Sequence, residues 1–249
     1  MVQVMPAWEI IETGVAALLW GAIFLIGGGA HRAYALLPDR RSVMSFSAGM
    51  SVAYVFVHMM PELHDIRRSF AESAPMSLGY EGSEIYFLAL LGFLTFHGLD
   101  RLCAGLRESG AQEPVGTVFR LRVGGFAVYV WLMGYLLENS LQETEVSVAL
   151  YAVVIAFHFL AVDNALRREH RAAYERIGRR VLAAMSVMGW AVGMWFTLPQ
   201  HVLALLVAFV SGAIIMNSTI IELHSEGQGR LLPMIAGGVV YGLILLPFG

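Results

Sequence analysis

The chain has 249 residues, 57% of them hydrophobic and only 14% charged, with a mean hydropathy of +0.66. Soluble domains carry about 25% charged residues, so the composition excludes an ordinary soluble domain and points to a single-domain, all-α integral membrane protein. A net charge of −3, with no basic stripe interleaved with aromatics, speaks against nucleic acid as a partner, and the single Cys103 excludes an intramolecular disulfide or a CxxC-type zinc site.

Eight apolar runs follow in chain order, at about 8–30, 43–61, 85–106, 123–140, 146–166, 181–198, 201–221 and 231–248. A spanning helix needs about twenty apolar residues, so eight transmembrane helices are expected, with seven as the fallback if one pair is re-entrant. Acids, and no positive charge, precede the first run, which favours a retained helix over a cleaved signal peptide.

All basic residues are arginines, and their placement alternates. The odd connections hold Arg32, Arg40 and Arg41; Arg101, Arg107, Arg120 and Arg122; Arg167, Arg168, Arg171, Arg176, Arg179 and Arg180; and Arg230. The even ones hold only Arg67 and Arg68, among the acids Glu62, Asp65, Glu72, Glu81, Glu84, Glu138, Glu143 and Glu145. Positive residues stay on the cytoplasmic side. Odd loops are therefore expected inside and both termini outside, in a bacterial inner membrane. The connection 62–84 is expected as an acidic outer loop, and 107–122 as a polar inner one.

Several polar groups interrupt this pattern. The fifth run, Val146 to Leu166, contains His158, Asp163 and Asn164. Ionisable groups inside a span are expensive and are by default functional candidates. Asp163 and Asn164 could equally meet headgroups or pair with Arg167, whereas His158 lies deeper. At the end of the second run His58 and Glu62 are one turn apart beside Pro61, a spacing at which an imidazole and a carboxylate can share a divalent cation. His97 and Asp100 form a secondary cluster with Arg101 near the inner end of the third run, with a structural ion pair as the alternative. Glu138 and Asn139 read as a solvated outer rim. Asn217, and Glu222 at the end of the seventh run, complete the set.

Phe46-Ser47-Ala48-Gly49-Met50 in the second run aligns with Phe209-Val210-Ser211-Gly212-Ala213 in the seventh. The two runs are expected to point in opposite directions, as in the inverted repeats of transporters. No phosphate-binding glycine loop, Gly-x-Ser-x-Gly elbow or His-Glu-x-x-His motif is present.

The layout resembles the ZIP family of zinc and iron transporters. The second run, from Ser47-Ala48-Gly49 to His58-Met59-Met60-Pro61-Glu62, is similar to that family's Gly-rich start and His-x-x-Pro-Glu end, and Gly212 to Glu222 is similar to its seventh helix. The resemblance implies eight helices in a 3+2+3 arrangement with an inverted repeat, and a binuclear metal site on the fourth and fifth spans. The fourth-span stretch, Tyr129-Val130-Trp131-Leu132-Met133-Gly134, keeps the glycine of that family's pattern and none of its ligands. The fifth, His158 to Asp163, keeps the histidine and one nearby acid. The expected function is thus a divergent transporter of zinc or a similar divalent cation by alternating access. His158 is its main ligand, supported by Asp163, Asn217, His58 and Glu62.

The metal is expected as substrate, with no tightly bound cofactor and no catalytic residue. The expected partners are a divalent metal ion and the lipid bilayer, and a homodimer is allowed for. The alternatives are a non-transporting sensor or scaffold with this fold, and an intramembrane zinc-dependent hydrolase.

Overall fold

A computed structural model of the chain describes residues 7–27, 40–73, 82–108, 115–139, 148–223 and 230–246. Every regular element among them is helical. Helix α1 spans Ala7–Ile26. Helix α2, Arg40–Ala53, runs through a π-helical segment, Tyr54–Met59, into α3, Met60–Ser73. Then come α4 (Glu84–Glu108), α5 (Val115–Asn139) and α6 (Val148–Ala173). A second π segment, Tyr174–Gly178, leads into α7 (Arg179–Trp195), and α8 (Gln200–Leu223) and α9 (Leu231–Leu245) complete the order.

Among the described residues, three helical stretches are long and apolar enough to cross a membrane, Glu84–Arg107, Gly116–Asn139 and Gln200–Ser218, and Ile10–Ile26 and Leu231–Leu245 are shorter apolar helices. The described residues are therefore all-helical and compatible with a helical membrane protein, and fewer helices among them reach that standard than the eight apolar runs suggested. Helices and runs do not coincide, because helix formation continues through residues that hydropathy excludes. The 62–84 connection, expected as a loop, is helical as far as Ser73. Its residues 74–81 lie outside the described set, as do 109–114 of the inner loop. Pro61 enters this continuous helix just behind the π turn. Proline lacks an N–H and its ring crowds the carbonyl four residues back, and a locally widened helix relieves that crowding.

The arginine-rich fifth connection is helical too, but bent. His170 (φ −124°, ψ 15°) and Arg171 (φ 2°, ψ −84°) leave the helical region, and the neighbours of α1 show that the chain reverses there. Trp20 Nε1 donates to Ala152 O at 3.0 Å and Gly27 lies against Asp163, so α1 and α6 run parallel. Ser186 Oγ donates to Ala17 O at 3.0 Å and Arg179 Nη1 to Leu25 O at 3.3 Å, so α1 and α7 run antiparallel.

Close packing at glycines sets the remaining directions. A Cβ on Gly189 would land on the Trp131 carbonyl, and one on Gly193 would crowd Tyr135, so α5 and α7 are parallel. Gly237 seats against Phe46, and Gly242 against Ala53 and Val57, so α2 and α9 are parallel. Gly92 meets Phe209 and Gly212 meets Ala89, while Leu63, Ile85 and Ala208 share one buried cluster, which puts the starts of α4 and α8 at the same end. Small residues let helix backbones approach where lipid supplies no hydrophobic drive between them. The tight pairs form two groups, α1 with α5, α6 and α7, and α2–α3 with α4, α8 and α9, which meet chiefly along α2, α4, α5, α6 and α8.

Candidate functional site

His158 lies on α6 at the boundary between these groups and is 1% exposed. Its neighbours on the same face, Ile155, Phe159 and Val162, are fully buried, so the helix periodicity that buries them buries the imidazole as well. Nε2 sits 3.0 Å from the hydroxyl of Tyr129 on α5, and the ring meets that of Tyr129 edge-on at 5.9 Å. Nδ1 is buried with no hydrogen-bond partner among the described residues. Phe96, 5.4 Å away, and Phe159, 6.2 Å away, hold the Tyr129 ring in place.

The polar tract continues along the boundary. Tyr54, on the π segment of the α2–α3 helix, lies within electrostatic reach of Tyr129, Tyr151, Tyr241 and Glu62, and its ring is 5.3 Å from that of His58. His58 is buried, with Nε2 3.8 Å from Glu62 Oε2. The expected His58–Glu62 pair is thus formed, and tyrosines occupy the space between it and His158. The hydroxyl of Tyr241 is buried without a partner among the described residues. Buried polar groups normally find partners, so Nδ1 of His158 and this hydroxyl mark where the tract is chemically incomplete. Replacing Tyr129 with phenylalanine is expected to cost about 1–3 kcal/mol, the penalty for leaving Nε2 unsatisfied in the interior, measurable as a lower midpoint of unfolding in detergent.

Asp163, the second expected ligand, is fully engaged elsewhere. It is 2% exposed and accepts from Arg167 Nη2 at 3.0 and 3.1 Å and from the Tyr174 hydroxyl at 2.6 Å. Burial first, and then the Asp163 carboxylate, push the Tyr174 phenol above its usual range, which keeps it protonated as the donor. Arg167 also meets Glu175 and lies over the Tyr174 ring at 5.3 Å. Asp163 therefore ties α6 to the turn that follows it.

The other expected residues are dispersed. Asn217 is buried on α8, with Nδ2 unpartnered among the described residues, and the side chain of Glu222 lies outside the described set. His97 is exposed and stacks on Phe93, whereas Asp100 pairs with Arg122, so these two do not converge. Arg122 also bonds Glu169 at 2.7 Å, and Arg107 reaches Glu169 at 3.1 Å. Among the described residues no three His, Cys, Asp or Glu side chains come together to hold a metal ion.

Glu138, expected at a solvated rim, is instead 2% exposed. Thr13 donates to its Oε2 at 2.7 Å, and Trp190 Nε1 donates to Thr13 Oγ1 at 3.1 Å. The correction has a simple cause. Gly193 brings α7 close to α5, and α1 covers the remaining side, so the last turn of α5 is enclosed.

Tyr54, Tyr129 and Tyr151 are the site residues that ligand-seeking rules pass over. Their signal was a polar-tipped aromatic in the middle of an apolar run, since a buried Tyr hydroxyl usually has a partner. No protein-family model and no curated protein matches this chain.

Proposed function

We propose that the protein is a divergent ZIP-like membrane transporter of divalent metal cations, zinc or a similar ion. It would work by alternating access between the two helix groups. In this reading the chain makes eight spans, with α6 and α7 as the fifth and sixth, and both termini lie outside a bacterial inner membrane. The parallel and antiparallel pairings support it, because each follows from strict alternation of eight crossings. They support the 3+2+3 inverted repeat as well. Exchanging the first three spans with the last three turns the α2–α9 contact at Gly49 into the α8–α4 contact at Gly212, and these two glycines hold equivalent places in the sequence repeat.

One observation carries the functional reading, the unpartnered Nδ1 of His158 in a polar tract between the groups. In the tautomer in which Nε2–H donates to Tyr129, Nδ1 presents a lone pair, and zinc accepts nitrogen and oxygen ligands. A site with so few ligands suits brief occupancy during passage. His58 and Glu62 form its entrance, and Asp163 serves as a support for the helix that carries His158.

A second reading has its own observation. Where the family resemblance would put ligands on the fourth and fifth spans, Tyr129 and His158 bond to each other, as expected of a sensor or scaffold that has given up transport. Proteoliposomes loaded with a zinc-responsive dye separate the two. Uptake by the wild type that falls to background in His158→Ala is expected. No entry of zinc, iron, manganese or cadmium through folded protein would overturn the transport reading in favour of the second.

A further inference from the structure

We propose that the exposed arginines of the turn between α6 and α7 form a docking surface for the headgroup of an anionic phospholipid. The arginines of this turn, with those that bond its acids, fall into two sets. Arg107, Arg122, Arg167 and Arg179 are ion-paired, sharing the acids Asp100, Asp163, Glu169 and Glu175. Arg168, Arg171, Arg176 and Arg180 are exposed and carry no ion pair among the described residues. The acids nearest in sequence, Glu169 and Glu175, are already committed to the first set. His170 adds no charge to compete, since its imidazole is buried and burial holds it below its usual range.

Four exposed guanidinium groups within residues 168–180 leave a local excess of positive charge that an anion would neutralise. Their planar forks suit phosphate oxygens, which they bind in bidentate fashion. The occupant is a lipid rather than a soluble phosphate because the same turn presents an apolar side chain. Ile177 is 53% exposed, between Arg176 and Arg180. An isoleucine flanked by arginines can enter the acyl boundary while its neighbours hold the headgroup, as interfacial segments do. Clusters of basic residues at the cytoplasmic surface attract anionic lipids in this way.

The inference rests on the membrane reading and on this turn facing the cytoplasmic leaflet, and it is independent of metal transport. Its test is native mass spectrometry of the full-length, delipidated protein titrated with cardiolipin or with phosphatidylcholine. Cardiolipin adducts are expected at far lower lipid concentration than phosphatidylcholine adducts. Each arginine converted to glutamine among Arg168, Arg171, Arg176 and Arg180 should weaken them about fivefold.

Lysine at the same four positions should retain part of the preference, and Ile177→Ser should weaken retention with the charge unchanged. Raising salt to about 0.5 M should weaken wild-type binding by screening, an outcome that needs no variant to fold. Equal retention of the two lipids, or wild-type cardiolipin adducts on the folded four-glutamine variant, would overturn the proposal. A protein that fails to float with liposomes of either composition would instead overturn the membrane reading beneath it.

Discussion

Asp163→Asn is expected to destabilise the protein by about 3 kcal/mol, the lower end of the cost of breaking a buried ion pair from one side. The carboxylate is 2% exposed and takes charge-assisted hydrogen bonds from Arg167 together with the Tyr174 hydroxyl. Asparagine keeps the shape and loses the charge, which leaves the buried guanidinium with Glu175 alone. That residual partner places the expected cost at the lower end of the range. The measurement is chemical or thermal unfolding in detergent. A companion variant, Asp163→Leu with Arg167→Met and Tyr174→Phe, removes both charges together with the hydroxyl that Asp163 accepts from, and it should recover most of the loss, because an apolar cluster of similar size carries no desolvation penalty. A different pattern would reassign the residue. If Asp163→Asn unfolds like the wild type but abolishes zinc uptake, Asp163 is a ligand and the tie to Arg167 is secondary.

Gly212→Val is expected to be comparably damaging by a different route. Any Cβ at this position falls on the Ala89 carbonyl and close to the Phe93 amide. These are backbone atoms, which cannot turn aside as the end of a flexible side chain can. The α4–α8 pair must separate, and overpacking of a tight interface costs about 1–3 kcal/mol or more. A control lies on α5, where a Cβ at Gly124 meets nothing within 4 Å. Gly124→Ala should therefore be neutral or stabilising, by up to about 1 kcal/mol from helix propensity. Equal unfolding midpoints for Gly212→Val and the wild type would show that α4 and α8 are not in backbone contact. The inverted repeat would then lose one of its two matching contacts.

The same residues divide what is legible in the sequence from what is not. The small-residue motif around Gly49 and Gly212 was visible as a repeat, and both glycines prove to be points of backbone approach, but their partner helices were not evident. The His58–Glu62 pair was legible because one helical turn brings its members together whatever surrounds them. Tyr129 was passed over because its role depends on α5 presenting it to His158 across a helix boundary. Glu138 was misplaced for a related reason. Hydropathy puts a terminal carboxylate in water, and only the close approach of α7 at Gly193 and the cover from α1 show it enclosed.

The sequence by itself determined the helical class, the approximate positions of the apolar segments and the ends at which arginine collects. These are sums over about twenty consecutive residues, and each survives small errors in boundary or rotation. The tertiary structure alone decided which polar groups on different helices meet. It sends Asp163 to Arg167 and Tyr174, Asp100 to Arg122, Glu138 to Thr13, and His158 to Tyr129. Except for the one-turn Asp163–Arg167 pair, each of these contacts joins residues well separated in the chain. Their meeting depends on how each helix is turned about its own axis against its neighbours, which no run of adjacent residues records.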